Sequence, residues 1–381
     1  MTQLSDENVL IRDTARQVAR DVLAPGARAR EAAGRIEPEV IEQLAGLGFL
    51  GMTVDPEWGG AGADYLSYAL ALEEIAWGDG AVSTLVSVHN APFLAILERF
   101  ADARQKTDWL PAAASGAVVG CFALTEPQAG SDASQLKTTA RLDGDAYVLN
   151  GHKQYISSAA LGGATIVFAL TDPEAGKRGI SAFYVDNTAD GFEIERTENK
   201  LGQHASDTCA LRFENLRVPV ENRIGAPGEG YKIALSSLET GRIGIAAQSV
   251  GMAQAAFDCA HRYATEREAF GQALISHQAV QFRLAEMDTD IEAARQLVHH
   301  AARLRSANQP CLREAAMAKL FASEMAERVC SAAIQTLGGA GYTADYPVEK
   351  FYRDVRVCQI YEGTSDIQKM LIARQFSAPA H

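Results

Sequence analysis

Gly225-Ala226-Pro227-Gly228-Glu229-Gly230 is a glycine and proline joint between two kinds of sequence, and what stands on either side of it sets the expected fold. Before it, from about Val118 to Ile224, short β-rich runs alternate with turn residues such as Asp143-Gly144 and Asn150-Gly151. The runs are Ala146 to Leu149, Thr165 to Leu170, Ile180 to Val185, Phe192 to Glu195 and Ala210 to Phe213, the pattern of a small all-β domain. After the joint, long helix-forming stretches lie near Tyr231 to Ala264, Gln278 to Ala307 and Leu312 to Leu337. Helices of around 30 residues span about 45 Å, which suits a bundle. From Leu4 to about Gly116 apolar residues recur at three and four, as in Val18, Val22 and Leu23, or Leu66, Ala69 and Leu70 with Glu73 facing out. The expected class is α+β, with a helical N-terminal domain over 1–117, a middle all-β domain over 118–226 and a C-terminal helical bundle over 227–381.

Composition narrows the function. The 381 residues are 47% hydrophobic and 22% charged, enough to bury a large core and a cofactor. A formal charge of −13 argues against a nucleic-acid or anionic-membrane partner, so a phosphate-bearing ligand must be held by a few placed Arg side chains or backbone amides. No apolar run is expected to approach the roughly 20 residues of a membrane span. Met1 to Asn8 has neither a signal peptide's basic start nor a transit peptide's Arg-rich pattern, so a cytoplasmic protein is expected. Cys121, Cys209, Cys259, Cys311, Cys330 and Cys358 lie far apart with no CxxC or His pairing. They fit reduced core residues, and neither a metal site nor a disulfide framework is expected.

Gly46-Leu47-Gly48-Phe49-Leu50-Gly51 matches the glycine spacing of a dinucleotide fingerprint, but it follows an apparent helix, Pro38 to Leu47, and runs into a turn-rich segment. That fingerprint needs a strand before it and a helix after it, so these glycines are assigned to helix termination and tight turns.

Two other regions carry chemistry. Ile360-Tyr361-Glu362-Gly363-Thr364-Ser365-Asp366 sets one carboxylate beside a glycine and two hydroxyls in an apolar neighbourhood. Desolvation raises a carboxyl pKa towards neutrality, which suits a base for a weak carbon acid; an exposed Glu before a helix capped by Thr364 or Ser365 would read the same way. Cys121 to Asp132 is a strand that breaks into a hydroxyl-rich loop, and Tyr155 precedes a second hydroxyl pair, Ser157-Ser158. An aromatic face beside hydroxyls can stack on a flat ring and bond its heteroatoms, although Tyr155 equally fits an ordinary sheet residue.

Four separated blocks, Leu124 to Asp132, Arg267 to Gly271 with Gln278, Gln335 to Gly339, and Ile360 to Thr364, stand in the order of one family, and over nearly its whole length the chain resembles an acyl-CoA dehydrogenase. The resemblance implies that the C-terminal part is a four-helix bundle and that FAD lies between it and the β-domain. It matches Glu362 to the base that removes the α-proton of an acyl-CoA thioester while the β-hydrogen leaves as hydride to flavin N5. It places Thr125 and Ser157 on the flavin ring, Phe122 and Leu124 beneath it, Tyr155 at its dimethylbenzene edge in place of the usual Trp, and Thr364 on the cofactor. Ser131, Glu239, Arg242 and Gly363 fall at substrate positions. Arg267, Phe270, Gln278, Gln335, Gly338 and Gly339 match residues that reach the FAD of a neighbouring subunit, which implies a homo-oligomer, a dimer of dimers by family habit. Electron-transfer flavoprotein is the implied electron acceptor.

Some branched-chain members carry the base on another helix, at the position held here by Gly241, so Glu362 keeps the role. Gln128 replaces a Gly whose positive φ is then in question, and Asp366 is assigned only to the helix start. Two function classes follow: a flavin-dependent dehydrogenase, or a scaffold that binds CoA thioesters or FAD without turnover. The likeness leans towards short or short-branched acyl groups, with pocket depth set by the bundle and the segment near Val86 to Phe93.

Overall fold

The computed structural model describes residues 4–377. Seven helices come first: α1 (Asp6–Val18), α2 (Ala24–Ala33), α3 (Pro38–Gly46), α4 (Tyr65–Gly78), α5 (Gly80–Val88), α6 (Ala95–Phe100) and α7 (Ala103–Ala114). Local signals start them where expected: the Ser5 and Asp102 side chains close capping boxes, and Asp64 accepts from Ser67 N–H at 2.7 Å. The glycines of the rejected fingerprint terminate α3, with Gly48 at φ 79°.

Eight strands follow: β1 (Gly120–Ala123), β2 (Thr139–Asp143), β3 (Ala146–Ser157), β4 (Ala164–Leu170), β5 (Ile180–Asp186), β6 (Phe192–Thr197), β7 (Thr208–Pro219) and β8 (Arg223–Ile224). They form one sheet in the order β6-β7-β3-β2-β4-β5-β8, with β1 paired parallel to β4. Asp143-Gly144 makes the β2–β3 hairpin, as its sequence predicts. Asn150-Gly151 does not turn the chain: β3 runs through it with a shift of register against β7, and a Cβ on Gly151 would stand 2.5 Å from Thr138 Oγ1. Close approach to a neighbouring backbone therefore explains that glycine.

Beyond the joint come α8 (Gly230–Glu266), a hairpin of β9 (Glu268–Ala269) and β10 (Gln272–Ala273), α9 (Gln278–Ser306), α10 (Leu312–Leu337), α11 (Gly339–Tyr342), α12 (Val348–Val355) and α13 (Ser365–Arg374). The two helical parts share one core, in which Leu72 and Leu85 from the first pack with Val250, Ile291 and Met325 from the second. The helix α8 is buried from Thr240 to Ala253, and small residues let its neighbours approach closely. A Cβ at Gly251 would stand 2.1 Å from the Glu73 carbonyl of α4. Glu73 itself faces inward, against the expectation from periodicity: Arg295 and His299 of α9 take its two oxygens at 3.1 and 2.9 Å. A helix packed on both sides has no outward face for an acid at that position.

Gly80–Phe100 is a helical stretch of 21 residues apolar enough to pass for a membrane span, contrary to the expected absence of such runs, but 94% of its apolar window is buried inside the fold. It supplies core helices. All six cysteines are buried and free.

A buried ionic cluster ties the parts together. Arg30 of α2 meets Asp79 at 2.8 Å, Lys350 of α12 lies 3.5 Å from Asp79 and 2.5 Å from Asp354, and Asp354 accepts from the backbone N–H of Gln203 in the middle part. Removing one member strands its partners in low dielectric. Lys350→Met is therefore expected to cost about 3–5 kcal/mol and to lower the thermal unfolding midpoint, whereas a midpoint equal to the parent's would show that the cluster is not structurally required.

Candidate active site

Glu362 lies between α12 and α13 in a turn whose backbone is left-handed at two successive residues, φ 53° at Glu362 and 97° at Gly363. Gly363 adopts that conformation freely, while for Glu362 it stores strain that the surroundings must hold, the usual mark of a functional position. Thr364 caps α13 with its side chain, accepting from Ile367 N–H at 3.4 Å, and Asp366 falls in the helix's first turn. Gln368 of α13 donates to the Gly363 carbonyl at 2.8 Å, as does Lys319 of α10 at 2.7 Å.

The Glu362 carboxylate points at α8. A Cβ on Gly241 would stand 1.9 Å from Glu362 Oε2, so the acid occupies the space that any side chain at 241 would need. An acid at 241 and one at 362 would thus converge on one point. The residue is half-buried as a whole, yet both carboxylate oxygens are sequestered and have no hydrogen-bond partner. The neighbouring Arg242 is buried too, with Nε and Nη1 unpartnered. Burial pushes the Glu362 carboxyl up to about 8, against the pull of the Arg242 and Lys319 cations. Buried polar groups are normally satisfied, so a facing acid and guanidinium left without partners mark a site built for something else to enter. The Glu362 backbone N–H also has no partner among the described residues.

The middle part presents a second group. Leu124, just beyond β1, is buried in a cluster with Phe168 of β4 and with Ile233 and Ala234 at the start of α8, and Phe122 packs against that cluster. This brings the end of β1 to the helix that carries Glu239 and Arg242. Gln154 N–H donates to the Thr125 carbonyl at 2.9 Å, setting the loop beside β3. The next residue, Tyr155, has φ 59° and is 64% exposed. The half-buried Thr125 and Ser157 hydroxyls find no hydrogen-bond partner among the described residues. An uncovered ring beside free hydroxyls fits a flat heteroaromatic group such as the flavin ring of FAD. Gln128 keeps negative φ, so the loop needs no glycine there, and Ser131 is exposed.

A third group stands on the surface rather than converging on the buried acid. Arg267 and Phe270 lie at the β9–β10 hairpin, Phe270 being 98% exposed, and Gln278 opens α9. Gln335 is exposed near the end of α10, where Gly338 (φ 63°) stops the helix before Gly339, beside a cleft of about 540 Å³ also lined by Arg283 and Arg328. A crevice of about 430 Å³ between α1, α4, α8 and α9 holds none of the expected residues.

Several contributors escaped the sequence reading. Lys319 is fully buried, and a lysine set between the apolar runs Ala315-Ala316-Met317-Ala318 and Leu320-Phe321-Ala322 is the available signal. Tyr68 of α4 is also fully buried, and its hydroxyl and that of Ser87 each stand 2.7 Å from where a Cβ on Gly244 would be. Glu126 and Lys153 form a buried pair at 2.7 Å that pins the loop after β1 to β3; the Lys153 ammonium also donates to the Leu124 carbonyl at 3.2 Å. No spacing in the sequence pairs them.

Models of the acyl-CoA dehydrogenase N-terminal, middle and C-terminal domains match residues 5–117, 121–216 and 228–377. The chain belongs to the acyl-CoA dehydrogenase family. It is 44% identical over 371 residues to the mitochondrial short-chain specific acyl-CoA dehydrogenase of Rattus norvegicus, covering 97% of this chain and 90% of the relative. The butyryl-CoA dehydrogenase of Megasphaera elsdenii superposes with a TM-score of 0.97 at 38% identity, over 99% of this chain and all of that one. A chain solved in work on the electron transferring flavoprotein of Acidaminococcus fermentans gives 0.97 at 42% identity, over 99% of both chains.

These relatives overturn the cytoplasmic placement: the rat, mouse, cattle, human and pig proteins are all named mitochondrial. Transit peptides are removed from mature proteins, so the residues Met1 to Asn8 are no guide to compartment. For the acyl-CoA dehydrogenase site, the contact at 241 yields a test. Gly241→Ala favours the helix itself but displaces the Glu362 carboxylate, so flavin bleaching by acyl-CoA is expected to slow about 100-fold without loss of thermal stability. An unchanged rate would mean that the carboxylate does not rest on α8.

Proposed function

We propose that Glu362 is the base of this FAD-dependent acyl-CoA dehydrogenase, which oxidises an acyl-CoA thioester to the trans-2-enoyl-CoA and passes the electrons to electron-transfer flavoprotein. The observation that carries the proposal is the buried, unpartnered Glu362 carboxylate lying on Gly241 beside Arg242. An α-proton beside a thioester is weakly acidic, and a carboxylate raised to about 8 is matched to take it near neutral pH. The Glu362 N–H, free of internal bonds, is available to the thioester oxygen as negative charge develops there. Gly363 gives the thioester room to approach that backbone.

FAD, when bound, supplies the acceptor for the β-hydride. Thr125, Ser157, Phe122, Leu124 and Tyr155 would hold its ring, with Thr364 a further contact. Arg267, Phe270, Gln278 and the Gln335 to Gly339 turn would hold the FAD of a neighbouring subunit in a dimer of dimers; the exposure of Phe270 supports this, because an aromatic residue 98% exposed to water is suited to cover by another chain. Arg267 suits pyrophosphate, since a guanidinium can bond it through two N–H groups. Ser131, Glu239 and Arg242 would meet the CoA thioester, with Arg242 the stronger contact; Glu239 already accepts from the Cys311 thiol at 3.2 Å. In this division of labour, residues 1–117 supply core, 118–226 the flavin face, and 227–381 the base and subunit contacts.

The proposed substrates are short or short-branched acyl-CoAs, supported by the names of the relatives, among them the rat short/branched chain specific enzyme at 42% identity. Anaerobic bleaching of the holoenzyme should then be faster with butyryl-CoA than with palmitoyl-CoA. Glu362→Gln is expected to retain FAD while slowing bleaching about 100-fold to 10,000-fold; bleaching at the parent rate with every acyl-CoA would exclude Glu362 as the base. Because the base acts ionised, kcat/KM should rise with pH to a limb near 8 and fall below it as the carboxylate takes up its proton. A rate independent of pH across that range would contradict the assignment.

A further inference from the structure

We infer that Lys319 is a positioning residue for the base: from α10 its ammonium clamps the left-handed turn that carries Glu362 and sets a second positive charge beside the carboxylate. The inference rests on Glu362 being the base and extends that reading to the group that holds and charges it. A lysine completely withdrawn from water is costly and persists where its charge is used. No carboxylate pairs with it among the described residues, and its one hydrogen bond is to the Gly363 carbonyl, the peptide immediately after the base. Gln368 donates to the same carbonyl from α13 and reaches the Glu362 carbonyl at 3.4 Å. Two donors from different helices on one carbonyl hold a turn that a non-glycine residue would otherwise leave.

The charge acts alongside the clamp. The acid meets Arg242 and Gly241 from α8, Lys319 from α10 and the neutral Tyr68 from α4, while Glu239 acts on Arg242, and Cys358 and Glu324 act on Lys319. Arg242 makes no fixed hydrogen bond to the carboxylate, so the two cations act on it through space. Burial lowers the Lys319 pKa to about 8, and its charge is present below that pH. An opposite charge at close range depresses a carboxyl pKa, so removing this one should raise the Glu362 titration by about one unit. Less carboxylate is then ionised at neutral pH, and the lost rate returns as pH rises.

The test uses holoenzyme without substrate. The infrared carboxyl band of Glu362, isolated by difference against Glu362→Gln, is titrated in the parent and in Lys319→Gln. The expected midpoint is about one unit higher in Lys319→Gln, with the acid limb of kcat/KM displaced equally and the rates converging at alkaline pH. An unmoved midpoint overturns the inference, whatever happens to the rate. Gln368→Met removes the neutral donor alone and should slow the enzyme at every pH with the limb in place; a limb displaced as far as in Lys319→Gln overturns the role of charge. If Lys319→Gln does not fold, Lys319→Arg decides: a limb coinciding with the parent's supports the inference and a displaced one overturns it. Failure of the base assignment itself would look different, since Glu362→Gln would then bleach at the parent rate.

Discussion

The constraint on which the rest depends is that one carboxylate lies, without a hydrogen bond, against a bare turn of helix. The absence of a side chain at Gly241 gives the Glu362 oxygens their place, and the left-handed turn from Glu362 to Gly363 aims them there. Neither feature is stable alone. A strained turn needs its donors, and an acid out of water needs cations near it. Helices α8, α10 and α13 supply these through Arg242, Lys319 and Gln368, so the helical core is also the apparatus that tunes the acid.

That arrangement explains why the two helical parts share one core although the sheet separates them in sequence. The helix α8 packs against α4 over Gly251, carries Arg242 and Gly241, and sets its first turns in one cluster with Leu124 and Phe168 of the middle part. A polar thread runs on from the turn, starting at the residue before Glu362. The Tyr361 hydroxyl donates to Gln248 at 2.7 Å, Gln248 to Thr84 at 2.6 Å, Thr84 to Gln203 at 2.6 Å, and Gln203 to the Asp354 of the ionic cluster. Each member is paired, which is the condition under which buried polar groups fix a unique packing rather than weaken it. The turn that carries Glu362 is therefore coupled to all three parts of the chain.

Much of this is legible in the sequence. Long periodic helices gave their ends to within a residue or two: Leu312 to Leu337 was read as α10 is found, and Gln278 to Ala307 ends one residue late. Asp143-Gly144 was readable because a hairpin turn is a local demand, whereas Asn150-Gly151 misled because the same dipeptide serves a strand that passes close to Thr138. Glu73 was misplaced for a similar reason. Its partners Arg295 and His299 are more than 200 positions away, and periodicity does not see them. Glu362 stands out through its local setting and family blocks, but Lys319, Tyr68 and the Glu126–Lys153 pair act through long-range contacts that no spacing encodes.

The most direct measurement is a crystal structure of the holoenzyme with an acyl-CoA analogue that cannot lose its β-hydrogen. The Glu362 carboxylate is expected within about 3–3.5 Å of the α-carbon, across the acyl chain from the flavin ring and still resting on Gly241. A carboxylate turned to bulk water, or an α-carbon bound beyond its reach with no cleft between acid and flavin, would contradict it.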